Sequence, residues 1–176
     1  MKKVEHGKTF DRNAANPPAF EIFHNTVTEG YPEHWHTAIE IIMPTRGEYE
    51  VVVGKDSYNL KEGDIIMINS GVVHGMRFVS QGERIVMLVE PGCVENQEEM
   101  ETIFLRLPAI YFKKEDEEDP FYLFLRSQIL ELVREYDNEG AVMTHRICTG
   151  LKELFSEFGR KGFSDANAQN TFGAMK

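Results

Sequence analysis

Three of the six histidines in this chain, His34, His36 and His74, stand in one strand-rich region together with Glu40. Three imidazoles and one carboxylate are donors suited to a divalent ion such as Zn, Fe, Mn or Ni. On a six-coordinate ion such a set leaves two positions for water, a substrate oxygen or dioxygen, the chemical basis for catalysis at such a site. Side chains alternate along a strand, so positions 34, 36 and 40 share parity and point to one face if the strand runs unbroken. A barrel that turns His74 inward from a later strand then completes the set. A His-x-His pair also occurs at surfaces and in satisfied cores. Without a cation, an inward Glu40 is desolvated, takes up a proton, or is offset by hydrogen bonds and positive charge from the imidazoles. A metal is favoured but not required. If histidines ligate it, affinity falls as pH drops past about 6.5, because ligand imidazoles must be neutral.

Around this set, His24, Trp35, Tyr49 and Met76 are candidate pocket-lining residues, with core packing as the plainer alternative. His24 shares the parity of Phe20 and Ile22. Other chemistries lack their motifs: the sequence has no Gly-x-Ser-x-Gly, no phosphate-cradling glycine loop, no Gly-x-Gly-x-x-Gly and no His-Glu-x-x-His. No catalytic residue is assigned. Cys93 and Cys148, the two cysteines, are far apart with no Cys-x-x-Cys spacing, which excludes a zinc ribbon or a thioredoxin-type motif and leaves buried free thiols as the expectation.

The elements that must position these residues come in two kinds. From Phe20 to Val89 the pattern predicts short strands at Phe20–Val27, Ile39–Met43, Glu48–Val53, Ser57–Leu60, Ile65–Ile68 and Arg84–Val89. They are punctuated by glycine-bearing turns such as Pro44-Thr45-Arg46-Gly47 and Lys61-Glu62-Gly63-Asp64. Strands at this spacing suggest a sandwich, jelly roll or barrel. Val51-Val52-Val53 and Ile65-Ile66-Met67-Ile68 read as strands covered on both faces.

After Pro91-Gly92 apolar residues recur at three and four. Phe121, Leu125, Ile129, Leu132, Val133 and Tyr136 fall on one helical face, and Met143, Ile147, Leu151, Leu154, Phe155 and Phe158 on another. With a turn at Asp137-Asn138-Glu139-Gly140 this is an αα-hairpin, burying its stripes against the barrel, its own partner helix or a second subunit. Pro120, after the charge run that starts at Lys113, is placed to open the first helix. The expected organisation is a β-barrel over 1–110, a helical dimerisation segment over 111–163, and a linker or tail over 164–176.

Composition bounds the partners. A chain of 176 residues builds its own core as one domain. Its net charge is −10, and neither half is basic: 9 Lys and Arg stand against 13 Asp and Glu through Glu90, then 10 against 16. Gripping phosphates or an anionic membrane is therefore not expected of these residues. No signal-like or membrane-spanning apolar run occurs, so the expected location is the reducing cytoplasm.

The residues resemble the cupin superfamily. His34 to Gly47 reads as the first cupin motif, His-x-His, three residues, Glu, six residues, Gly. Gly63 to His74 reads as the second, Gly, five residues, a usual Pro, one residue, Gly, two residues, His. The resemblance implies a mainly β fold, a double-stranded β-helix or jelly-roll-like barrel, with His34, His36, Glu40 and His74 at the family's metal-ligand positions. Asn69 stands where that motif usually has Pro and Phe78 where it usually has Asn, and Gly30 lies two residues too close to His34 for the usual lead glycine.

With Tyr58-x-Leu60, Gly63-Asp64, Arg84 to Pro91 and Leu151-x-x-Leu154-Phe155 added, the chain is similar to the N-terminal sensing domain of AraC-type transcriptional regulators. That resemblance implies a barrel that binds a small-molecule effector and helices that support a homodimer. It also implies DNA contact through a separate helix-turn-helix domain, for which residues 164–176 are too few. The alternative is a small metal-dependent cupin enzyme, a dioxygenase or isomerase; a metal-free binding module is a third reading.

Overall fold

A computed structural model of the chain describes residues 19–27, 30–93, 108–116, 118–138, 140 and 142–161. Its strands are β1 (Phe20–Val27), β2 (Tyr31–His34), β3 (Ile39–Arg46), β4 (Tyr49–Val53), β5 (Asp56–Leu60), β6 (Ile65–Ile68), β7 (His74–Phe78), β8 (Gly82–Val89) and β9 (Ala109–Phe112). Two helices follow, α1 (Pro120–Asp137) and α2 (Met143–Lys161). The strands form two antiparallel sheets, a five-stranded one in the order β1-β8-β3-β6-β9 and a four-stranded one in the order β2-β7-β4-β5.

Period-2 alternation in the five-stranded sheet splits its side chains between two cores. Ile39, Ile41, Met67, Ile85 and Met87 join the helices, where Leu125, Ile129, Ile147, Leu151 and Phe155 are buried. Ile42, Ile66, Ile68, Val86 and Leu88 face the other way, meeting Tyr49, Val51, Val53 and Met76 of the four-stranded sheet. The result is three layers: helices, a central sheet and an outer sheet. Ile65 to Ile68 are all buried, as the unbroken apolar run predicts for a doubly covered strand. Val52 departs from that expectation. It is half-buried between buried Val51 and Val53, because nothing among the described residues covers the outer face of the four-stranded sheet.

The helical stripes predicted from the sequence close the helix-side core within this chain. Phe121, Val133, Tyr136 and Met143 are only partly buried at the margin of that core, and exposed Leu123 on α1 and Val142 before α2 lie outside the stripes. Pro120 opens α1 as expected, with Asp119 as the N-cap whose Oδ1 accepts from the Phe121 N–H at 2.9 Å. The Tyr122 hydroxyl donates to the Gly63 carbonyl at 2.8 Å and ties α1 to the turn between β5 and β6. In that turn Gly63 has φ +87, a conformation only glycine takes without strain. Beside it the buried Asp64 carboxylate accepts from the Lys61 N–H (2.9 Å), the Tyr111 hydroxyl (2.6 Å) and the Lys114 N–H (2.8 Å).

Three strands lie outside the sequence expectation. β2, Tyr-Pro-Glu-His, is a largely exposed edge strand with a proline. β7 carries Gly75, whose missing Cβ leaves room for the β2 backbone, the Glu33 N lying 3.1 Å from where a Cβ would sit. β9 straddles the expected boundary at 110/111 between barrel and helical segment, and its partner β6 holds it in the sheet through Phe112. The expected tail at 164–176 lies outside the described residues.

Candidate metal centre

The cluster forms where the two sheets meet, and not as parity alone predicts. The strand is broken: β2 ends at His34 in the outer sheet, residues 35–38 cross over, and β3 begins at Ile39 in the central sheet. His34 and His74 are register partners across β2 and β7, Glu40 stands on β3 opposite Ile68 and Leu88, and His36 sits on the crossing. Two sheets and a link, rather than one face of one strand, bring the four together. Their potential ligand atoms all lie within 4.8 Å of one another.

Each imidazole is oriented through its Nδ1. His34 donates to the Pro32 carbonyl at 3.0 Å, His36 to Ala38 at 2.9 Å and His74 to Val72 at 2.8 Å. Backbone acceptors at Nδ1 leave Nε2 as the nitrogen available for a ligand bond, the arrangement that orients metal-binding histidines. The Nε2 atoms of His36 and His74 both lie 2.9 Å from Glu40 Oε2. His36, Glu40 and His74 are buried.

The electrostatics follow from this packing. Burial alone would raise the Glu40 pKa, but hydrogen bonds and charge from His36 and His74 hold it far below the usual carboxylate range. Burial alone would lower His74, but its hydrogen bond to and the charge of Glu40 carry it above its ordinary value. His34 lacks such a bond to Glu40 and is lowered, chiefly by burial. With Nδ1 committed as a donor, Nε2 can face a carboxylate at hydrogen-bond distance only if a proton or another cation lies between them. A divalent ion fits that requirement. Metal–nitrogen bonds of about 2.0–2.1 Å bring ligand atoms of one ion within about 4.2 Å of each other, so small side-chain adjustments suffice.

The other candidate residues are dispersed. Tyr49 and Met76 are buried between the sheets. Trp35, between His34 and His36, is 54% exposed at the rim. His24 shares the face of Ile22, which joins the helix-side core, and its Nε2 lies 3.5 Å from Thr45 Oγ1 and 3.9 Å from Glu83. It therefore does not line the space between the sheets.

Arg84 is the residue that sequence reasoning missed. It alternates in phase with Val86 and Leu88, facing between the sheets, and is 4% exposed. Its Cζ lies 4.9 Å from the centre of the Tyr49 ring, while Nε, Nη1 and the Tyr49 hydroxyl find no hydrogen-bond partner among the described residues. Burial lowers the Arg84 pKa and raises that of Tyr49. An arginine in phase with Val86 and Leu88, the inward positions of β8, was the available signal.

Residues 25–90 match the cupin domain family, Cupin_2. No curated protein sequence matches the chain. Among solved structures, unsaturated fatty acid bound wild-type ToxT from Vibrio cholerae is similar with a TM-score of 0.52 at 11% identity, over 91% of this chain and 58% of ToxT. A second ToxT structure from Vibrio cholerae gives 0.50 at 11% identity, over 83% of this chain and 56% of that one. The chain thus spans just over half of ToxT. A cupin-2 domain containing protein from Shewanella frigidimarina gives 0.37 at 16% identity, over 42% of this chain and 72% of that one. The similarity to ToxT is one of fold, and it extends through the helices as well as the barrel.

Proposed function

Proceeding from a cupin domain at residues 25–90, we propose that the chain is the effector-sensing cupin domain of an AraC-type transcriptional regulator, located in the cytoplasm. The barrel (1–110) binds a small molecule at the His34, His36, Glu40 and His74 cluster, which holds a divalent ion. Met76 and Tyr49 line the space below it and Trp35 stands at its rim. The helical segment (111–163) supports a homodimer, residues 164–176 are a linker or tail, and DNA contact belongs to a domain that is not among these residues. The observation that carries this reading is the buried donor cluster at the junction of the two sheets, in a fold continued by two helices packed on the central sheet. The fold shared with ToxT, one structure of which is bound to an unsaturated fatty acid, supports it. The net charge of −10 accords with DNA affinity residing elsewhere.

The mechanism is a population shift. An effector that binds one arrangement of barrel and helices more tightly than another favours that arrangement in proportion to its differential affinity. A divalent ion held by His34, His36, Glu40 and His74 would supply Lewis acidity toward a ligand. The protein's part is to gather the three Nε2 atoms and Glu40 Oε2 around one point, with His36, Glu40 and His74 buried and half-buried His34 toward the rim. Thermal melting of the chain against pools of sugars, organic acids and amines tests the proposal. The expected result is a raised midpoint for one ligand class, lost in His74→Ala; no shift from any pool removes the main support for sensing.

The complete set of three imidazoles and one carboxylate favours a second reading, a small metal-dependent cupin enzyme such as a dioxygenase or isomerase. Turnover by the metal-loaded chain that disappears in His34→Ala and His74→Ala together with metal binding would establish it.

A further inference from the structure

The two cysteines, 55 residues apart in sequence, meet in the fold with their Sγ atoms 3.4 Å apart. Cys93 ends the short turn Pro91–Cys93 that follows β8, its N–H donating to the Glu90 carbonyl at 2.9 Å. Cys148 lies on α2. Both are free and half-buried. A disulfide needs an S–S separation of about 2.0 Å, a gap that side-chain torsion and a small shift of the turn can close. We propose that Cys93 and Cys148 are a redox-responsive pair that closes into an intramolecular disulfide on reaction with a low-molecular-weight disulfide, fastening the end of β8 to α2.

The reaction is thiol–disulfide exchange. One cysteine thiolate attacks a sulfur of the small disulfide, breaking its S–S bond, forming a mixed disulfide and releasing one small thiol. The second cysteine then attacks the protein sulfur of the mixed disulfide and expels the other small thiol. The protein gives up two electrons and two protons, and the oxidant leaves as two thiols. Burial, together with the hydrogen bond and charge of Cys148, pushes the Cys93 thiol up to about 12, with Lys152, one turn further along α2, acting in the opposite direction. Little Cys93 thiolate is therefore present at neutral pH, so attack through Cys93 is slow there.

The position gives the bond a consequence. Glu90, three residues before Cys93, accepts from the Thr37 hydroxyl at 3.0 Å and 3.2 Å through its two carboxylate oxygens. Thr37 adjoins His36 on the crossing between the sheets. The same turn thus touches the helix through its sulfur and the crossing through its carboxylate.

The experiment treats the purified full chain with oxidised glutathione, quenches and alkylates it under denaturing conditions, and measures intact mass, peptide linkage and melting midpoint. The expected product is a monomer lighter by two hydrogens, with no alkylated cysteine, no glutathione, and a Cys93–Cys148 cross-link. Its midpoint is raised on the order of 10 °C over the reduced chain, since the bond closes a long loop. Formation accelerates about tenfold from pH 7 to pH 8 as the thiolate fraction grows, and Cys148→Ser retains one glutathione adduct. A wild-type chain that keeps two alkylatable thiols, holds a stable glutathione adduct, or forms only intermolecular dimers overturns the proposal. So does a cross-link that leaves the midpoint unchanged.

Discussion

At Glu40 the distribution of protons decides what the cluster is. Its depressed pKa stabilises the metal-free fold above about pH 4.3, and that contribution is lost as pH falls through the native value. The raised pKa of His74 works from the other side: its contribution is complete below about pH 6.5 and is lost as pH rises through its native value. Both are therefore present between about pH 4.3 and 6.5, and the metal-free chain should lose stability above that window. Metal affinity should run the opposite way, growing as pH rises past about 6.5. Melting midpoints from pH 4 to 9, with and without Zn²⁺ or Mn²⁺, check this, and Glu40→Gln should flatten both trends. A variant curve that overlays the wild-type one would show that the cluster does not control them. Arg84 invites a different test. Its unpartnered donors between the sheets are a burden on the fold that the Tyr49 ring offsets only in part. Arg84→Met should stabilise the chain by about 1 kcal/mol, roughly 3 °C in midpoint. A lower midpoint would make Arg84 a structural residue. That His34, His36, Glu40 and His74 meet was legible because their spacing within two short motifs survives any detail of strand breaks. Arg84 was not, because one charged residue in a strand says nothing of its partner until the opposing sheet is in place.

Among the elements, the turn between β5 and β6 carries more than its length suggests. Asp64 gathers two backbone N–H groups and a tyrosine hydroxyl, one from its own turn and two from the end of β9 and just beyond it. Asp64→Ala should cost about 2 kcal/mol, since it leaves the Lys61 and Lys114 N–H groups without their acceptor while the Tyr111 hydroxyl keeps the Asn59 carbonyl at 3.1 Å; chemical denaturation measures it, and a loss below about 1 kcal/mol would mean water replaces the carboxylate. Strands rich in β-branched residues, β6 and β8 above all, were legible from pattern, as were both helices from their periodicity and from Pro120. β2, β7 and β9 were not. Their residues have weak strand preference or lie near proline and glycine, and their place is set by partners distant in sequence: β7 for β2, β4 for β7 and β6 for β9.

On the scale of the whole molecule, the central sheet is shared by two cores, with helices on one face and the outer sheet on the other. Stability is thus unevenly distributed. The central strands are clad on both sides, whereas among the described residues β2 and β5 are the edges of the outer sheet, and Glu50 and Val52 on its far face are only half-buried. The alternation that builds this arrangement also sets its mechanics. Glu40 reaches into the cluster while its neighbours Ile39 and Ile41 reach into the helix-side core. The backbone between them is one residue thick. Packed interiors resist compression, so a side chain drawn toward the cluster tugs on a diaphragm with the helices mounted on its other side. Because Ile39 and Ile41 share one core with Leu125, Ile129 and Ile147, any shift of β3 would be met first as a change of packing against the helices, with no layer in between.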